Sequence, residues 1–169
     1  MGQRTAIIVK NNDTRYDRKP TVSVFYNSWG IGRACIANVM GVALGTFNII
    51  HHAESMHPAN TYDVTADIDP VMLDKVGFDN PRAVGEVLKE CDNNNGGCYV
   101  QIDIDKDGDQ IVKYAFMLGM EEGGKYDKFC SFKKYADKVG CDKDFLPVFS
   151  SVMCYMGAVD VGASKSKAQ

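Results

Sequence analysis

Residues 98–118 read CYVQIDIDKDGDQIVKYAFML, which is two alternating apolar and polar stretches joined by a short turn rich in Asp and Gly. Apolar residues occupy even positions in both stretches, for example Val100 and Ile102 before the turn and Val112 after it. A two-residue turn would pair even with odd positions, whereas a three-residue turn with a left-handed Gly108 pairs Ile102 with Val112. Because the second register places both apolar rows on one face, the stretch predicts an antiparallel hairpin of that register.

The length and composition of the chain indicate one domain. The 169 residues predict a single domain over 1–163 followed by a flexible polar tail at 164–169. Apolar residues make up 45% and charged residues 24% of the chain, which suffices for a core. Lys and Arg number 19 against 22 Asp and Glu, a net charge of −3. A general nucleic-acid-binding surface would be basic, so we expect no nucleic-acid partner.

Hydrophobic periodicity and capping signals predict the remaining elements of the fold. The predicted strands are Thr5–Lys10, Thr21–Asn27 and Thr61–Asp69. The predicted helices are Ile31–Ile50, a short one after Asp69-Pro70 that Gly77 ends, one after Asn80-Pro81, one after Ser131 and one at Asp144–Met156. The clearest pairings are antiparallel. We therefore predict an α+β fold, in which a mainly antiparallel sheet of four or five strands packs against helices as a two-layer sandwich.

The helix predicted at 31–50 also raises the question of a membrane span. Residues 34–50 carry no charged side chain, but the stretch is at the lower limit of length for a span and contains Asn38, Thr46 and Asn48. A helix of one domain that is buried on both sides has the same composition. We expect a buried helix and no membrane partner.

Trp29-Gly30-Ile31-Gly32-Arg33 joins a predicted strand to this helix. Free amide groups at a helix N-terminus, together with an arginine, form a site at which an anion can bind. The dinucleotide and P-loop motifs require further residues that are absent here. Trp29, Gly30, Gly32 and Arg33 are therefore candidate ligand-binding residues, and the alternative is a tight turn whose tryptophan packs into the core.

Acidic residues form the strongest charge feature of the sequence. Asp63, Asp67 and Asp69 alternate with apolar residues along one predicted strand, and Asp103 and Asp105 do so along another. One interpretation is a sheet face that is simply solvated. The functional interpretation is a surface for a basic protein partner.

His51, His52 and His57 lie within seven residues and are the candidates for metal ligands. Metal-binding histidines normally share one helix face or come from separate strand ends, whereas adjacent histidines point in different directions. We therefore predict polar residues on an exposed loop, with neither a metal nor a cofactor. The sequence has no Gly-x-Ser-x-Gly motif, and no catalytic residue is nominated.

The six cysteines are scattered without a Cys-x-x-Cys pair, and the first residues do not resemble a secretory signal. This pattern predicts reduced thiols in a cytoplasmic protein. The six are Cys35, Cys91, Cys98, Cys130, Cys141 and Cys154.

RTAIIV at residues 4–9 and VFYNSWGIGR at residues 24–33 carry a resemblance to a known group. The sequence resembles small uncharacterised proteins encoded by phages and integrated elements of gut Bacteroidales, over about the first 35 residues. A broader phage group has Trp-Asp-Gly-Tyr-Pro at this turn, from which this chain departs. The resemblance implies a mobile-element origin, with the protein in the bacterial host cell or associated with the virion, and it implies no activity.

Two classes of function follow from these features. The first is a non-catalytic accessory protein that binds a host or virion protein, or a second copy of itself, through the sheet face. The alternative is a protein that binds or sequesters a small anion or nucleotide, or a hydrolase, using the turn at residues 30–33. A flat apolar or acidic patch would support the first class, and a pocket around Arg33 would support the second.

Overall fold

A computed structural model of the chain describes residues 3–28, 30–44, 61–91 and 95–164. The last five residues of the predicted tail lie outside these ranges. The strands and helices follow along the chain as β1 (Thr5–Asp13), β2 (Thr21–Asn27), α1 (Arg33–Leu44), β3 (Thr61–Asp63), α2 (Pro70–Asp74), α3 (Pro81–Glu90), β4 (Gly97–Ile104), β5 (Gln110–Met117), α4 (Phe132–Val139), α5 (Phe145–Tyr155), β6 (Val159–Asp160) and α6 (Val161–Ser164). The fold is α+β, as predicted.

The strands form one mixed sheet in the order β3-β2-β1-β4-β5-β6. The expectation of a mainly antiparallel sheet was wrong, because β1 pairs with β4 in parallel and β5 pairs with β6 in parallel. The physical reason is that long helical connections join these strands, with α2 and α3 between β3 and β4, and α4 and α5 between β5 and β6. A crossover of that length can return a strand to the sheet in the same direction as its neighbour, which a tight turn cannot do.

The β4–β5 hairpin has the predicted register. Ile102 lies opposite Val112. Asp105 and Asp109 close the loop, since the Asp105 N–H donates to the Asp109 carbonyl at 3.0 Å and three residues lie between them. Gly108 has φ +88°, the left-handed conformation that this turn requires. The hydrophobic pattern therefore determined the register correctly.

Helices cover both faces of the sheet, so the predicted two-layer sandwich was also wrong. Ile7 of β1 packs in a cluster with residues of α1, α4 and α5. Its neighbour Ile8 packs in a second cluster, which includes Val84, Val87 and Leu88 of α3. Successive side chains of a strand point to opposite faces, and here both are buried. The central strands thus lie in the middle of three layers.

The helix predicted from residue 31 is a core element, as expected. Ile36 and Val39 of α1 are fully buried. Residues 45–50 of the prediction lie outside the described residues. Within the part of the chain that the structure describes, no helix has the length and apolar character needed to cross a membrane.

The strand predicted at Thr61–Asp69 is much shorter than expected. It ends at Asp63, and residues 65–67 form a 3-10 turn. The Thr65 side chain explains the change, because its Oγ1 accepts a hydrogen bond from the Val24 N–H at 2.8 Å, which replaces a backbone partner. Asp69 then caps α2, accepting from the Val71 N–H at 2.8 Å.

We predict that the packing of α3 against the sheet makes a large contribution to the free energy of unfolding. Leu88→Ala removes a fully buried side chain and should lower the free energy of unfolding by about 2–5 kcal/mol. Glu86→Ala, at an exposed position of the same helix, is the matched control and should change it by less than about 0.5 kcal/mol. Urea denaturation measures both. Equal effects of the two substitutions would show that α3 is not part of the core.

Candidate functional site

Local structure requires glycine at both glycine positions of the predicted anion-binding turn. The Gly30 N–H donates to the Gln3 carbonyl at 3.0 Å. A Cβ at Gly30 would lie 2.7 Å from Asn27 Cγ and 2.9 Å from Thr5 Oγ1, so only glycine fits there without displacing them. Gly32 has φ +66°, and its carbonyl accepts from the Ile36 N–H at the start of α1. Both glycines therefore have a structural role, and Trp29 lies outside the described residues.

The Arg33 side chain points toward the beginning of α5. Its Nη1 lies 3.9 Å from Asp142 Oδ2, and its guanidinium carbon lies 4.9 Å from the centre of the Phe145 ring. The side chain is 63% exposed. The structure thus gives Arg33 an ion pair and a cation–π contact, each weakened by solvent. Anion binding at this turn stays a prediction.

The acidic residues proposed as a partner surface do not share one strand face. Asp67 and Asp69 are exposed, but they lie on the 3-10 turn and on the cap of α2. Asp63 lies opposite Phe25, in the row of the sheet that continues through β1 to Cys98 of β4. Asp103 is five residues farther along β4, about 17 Å away along the strand. The acidic groups are therefore spread over separate parts of the molecule.

Asp103 and Asp105 have local partners of their own. The Asp103 carboxylate lies 3.4 Å from Lys113 Nζ and accepts from the Gln101 side-chain amide at 3.0 Å. Asp105 Oδ1 accepts from the backbone N–H groups of Asp107 and Asp109, which stabilises the hairpin loop. Both aspartates therefore have a structural role within the hairpin.

The histidines proposed as metal ligands, His51, His52 and His57, lie outside the described residues. Within the described ranges, no group of three His, Cys, Asp or Glu side chains is arranged to hold a metal ion. The metal interpretation of the histidines stays untested.

The uncharged helix α5, which is apolar except for Ser150 and Ser151, presents a surface that the sequence pattern did not single out. Residues 145–159 read FLPVFSSVMCYMGAV and contain no charged side chain over 15 positions. Phe149 and Met153 are buried against the core, where the Phe149 ring lies 4.2 Å from that of Phe132. This row accounts for only one side of the helix.

A second row of α5, rotated by about 100° from the buried row, faces outward. It consists of Val148, Val152 and Tyr155, which we call the apolar flank. Val148 is 48% exposed and Tyr155 is 90% exposed, while Val152 is half-buried. The long uncharged run was the signal in the sequence, but periodicity alone does not show which row of an apolar helix is buried.

The cysteines are free, as predicted, and burial makes their thiols weak acids. It raises the pKa of Cys35 and Cys91 to about 12, that of Cys130 to about 11, and that of the fully buried Cys98 well above its usual value. The thiolate is the nucleophilic form. These four cysteines are therefore core residues without an activated thiol.

The sequence matches no family model, and comparisons with curated proteins and with solved structures give no match.

The role of Arg33 is tested by its replacement. Arg33→Ala should lower the free energy of unfolding by less than about 1 kcal/mol, because exposed ion pairs are weak. Thermal unfolding with and without phosphate measures stability and anion binding together, and Arg33→Lys is the control that keeps the charge. If phosphate stabilises the wild type and Arg33→Lys but not Arg33→Ala, the turn binds anions. Unfolding of Arg33→Ala would show instead that the contacts with Asp142 and Phe145 are essential to the fold.

Alkylation tests the state of the thiols. Cys154 is exposed, so iodoacetamide should modify it in the native protein, whereas Cys35 and Cys98 should react only after unfolding. In urea without reductant, mass spectrometry should find six modified sites. Four or fewer would mean that disulfides had formed, and rapid native labelling of Cys35 or Cys98 would contradict their place in the core.

Proposed function

We propose that this chain is a non-catalytic protein-binding module, and that its partner docks on the apolar flank of α5. The observation that carries the proposal is a row of apolar side chains on a helix without charges, in which Val148 is 48% exposed, Val152 is half-buried and Tyr155 is 90% exposed. Exposed apolar patches on folded domains mark interaction surfaces. Helices pack on both faces of the central strands, so we place the docking surface on α5 rather than on the sheet face.

The chemistry of the flank suits a protein partner. Tyrosine is enriched among residues that dominate binding energy, because its ring buries a large area and loses little conformational entropy. Charged groups begin only at the two ends of the uncharged run, at Asp144 and Asp160. An apolar centre bordered by polar groups is the usual anatomy of a protein interface. The partner expected from this surface presents an apolar patch of its own.

The same proposal includes the origin of the protein and its location in the cell. The resemblance of residues 4–9 and 24–33 to proteins of phages and integrated elements supports a mobile-element origin. Free, buried cysteines are typical of a reducing compartment, which supports the bacterial cytoplasm. The partner is then a host or virion protein, or a second copy of the chain.

Two exposed valines allow a matched test of this surface. Val148 of α5 and Val71 of α2 are 48% and 59% exposed, and their helices cover opposite faces of the sheet. A photo-reactive amino acid at position 148 should cross-link a defined partner in the producing bacterial cells, and one at position 71 should not. Adding Tyr155→Ala should reduce the yield of the adduct at least tenfold, as expected for an interface hot spot.

Sedimentation velocity shows whether the chain associates with itself. If a second copy is the partner, the cross-linked adduct has twice the mass of the chain. Circular dichroism should show unchanged folding of all variants, because the replaced side chains are exposed. Equal cross-linking from positions 148 and 71, or none from either, would contradict binding at the flank.

A further inference from the structure

A cavity of about 200 Å³ lies between the loop of residues 119–130 and the first turn of α4, and residues 30–33 are not part of its lining. Three lysines line it, Lys125 and Lys128 from the loop and Lys134 from the helix. Leu118 and the buried Cys130 also contribute to the lining. Side chains from two separate elements therefore converge on one concave space.

The side chains that line the cavity carry a net positive charge. Asp127 is the one carboxylate among the lining residues, against three ammonium groups. Within the described residues, no carboxylate lies within 4 Å of the ammonium of Lys125, Lys128 or Lys134, in contrast to Lys113 with its partner Asp103. Three unpaired like charges around a small space repel one another, and an anion placed between them would remove that repulsion.

The loop that carries two of the lysines is held in place by its backbone. The Gly124 N–H donates to the Gly119 carbonyl at 2.7 Å, and a Cβ at Gly124 would overlap the Leu118 carbonyl. Tyr126 is buried and has φ +55°, which is unusual for a residue with a side chain. Gly85 of α3 leaves room for the Tyr126 carbonyl, which a Cβ there would overlap. The backbone on either side of Lys125 is thus held in place before any ligand binds.

The stability of helix α4 does not explain the presence of Lys134 in its first turn. Lys134 lies in the first turn of α4, which contains no acidic residue, and a cation there is unfavourable beside the positive end of the helix dipole. The helix N–H of Phe132 already donates to Asp160 Oδ2 at 2.9 Å, and that of Lys134 to Ser131 Oγ at 3.2 Å. Recognition of an anion would therefore fall to the ammonium groups, which are common ligands of phosphate.

We propose that this cavity binds a small phosphate-bearing anion through Lys125, Lys128 and Lys134. The volume is smaller than that of most sites for drug-sized ligands, so it fits phosphate, pyrophosphate or a short phosphorylated compound better than a whole dinucleotide. This site is independent of the apolar flank, so either can be correct without the other.

Calorimetric titration with pyrophosphate, at constant ionic strength, tests the proposal. We expect one site per chain, at least tenfold weaker binding to Lys134→Gln, and less than a twofold change in Lys133→Gln. Lys133 is the matched control, because it is exposed in the same helical turn but does not line the cavity. Absence of binding, or equal weakening by the two substitutions, would overturn the proposal, since equal weakening indicates general attraction to a basic surface.

Nuclear magnetic resonance of the wild-type chain locates the anion without any variant. Pyrophosphate should shift the amide signals of residues 123–130 and of Lys134. Shifts confined to residues 30–33 would place the anion at the other turn and overturn the proposal. Succinate is the comparison for ligand class, and binding of succinate as tight as that of pyrophosphate would overturn the assignment to phosphate.

Discussion

The burial of β4 between β1 and β5 is the constraint on which the rest of the structure depends. Cys98, Tyr99 and Val100 follow one another along β4, and all three are fully buried. Consecutive side chains point to opposite faces, so both faces need a cover of apolar helices. The parallel pairing of β4 with β1 places it at the centre, with Gly97 packed so closely against the Ala6 carbonyl that a Cβ would overlap it.

An aromatic cluster attaches the two helices of functional interest to this sheet. The Phe116 ring of β5 lies 4.5 Å from that of Tyr135 in α4, and Phe149 of α5 packs against Phe132 of α4. The outward sides of α4 and α5 then carry the lysine cavity and the apolar flank. Both candidate surfaces therefore lie on helices that pack firmly against the core. This packing limits the conformational entropy lost when a ligand or partner binds.

The sequence predicted the structural features that depend on residues close together in the chain. It missed the features that depend on contacts between distant residues. The hairpin register and the Asn80 cap of α3 follow from local pattern, and the structure has both. The end of β3 depends on a hydrogen bond between Thr65 and Val24, 41 residues apart, which periodicity cannot show. The second helical layer did leave a local signal, since AII at residues 6–8 and CYV at residues 98–100 are continuous apolar runs typical of strands buried on both faces.

The same distinction explains why the candidate sites were harder to predict than the fold. The turn at residues 30–33 attracted attention because glycines and an arginine stand together in the sequence. Close packing accounts for Gly30 and a left-handed conformation accounts for Gly32, while Asp142 and Phe145 contact Arg33. The cavity lysines look like ordinary surface residues until the strained backbone at Tyr126 and the start of α4 bring them to one space. Three lysines that separate elements bring to one cavity therefore support the proposed anion site better than a short motif supports the turn.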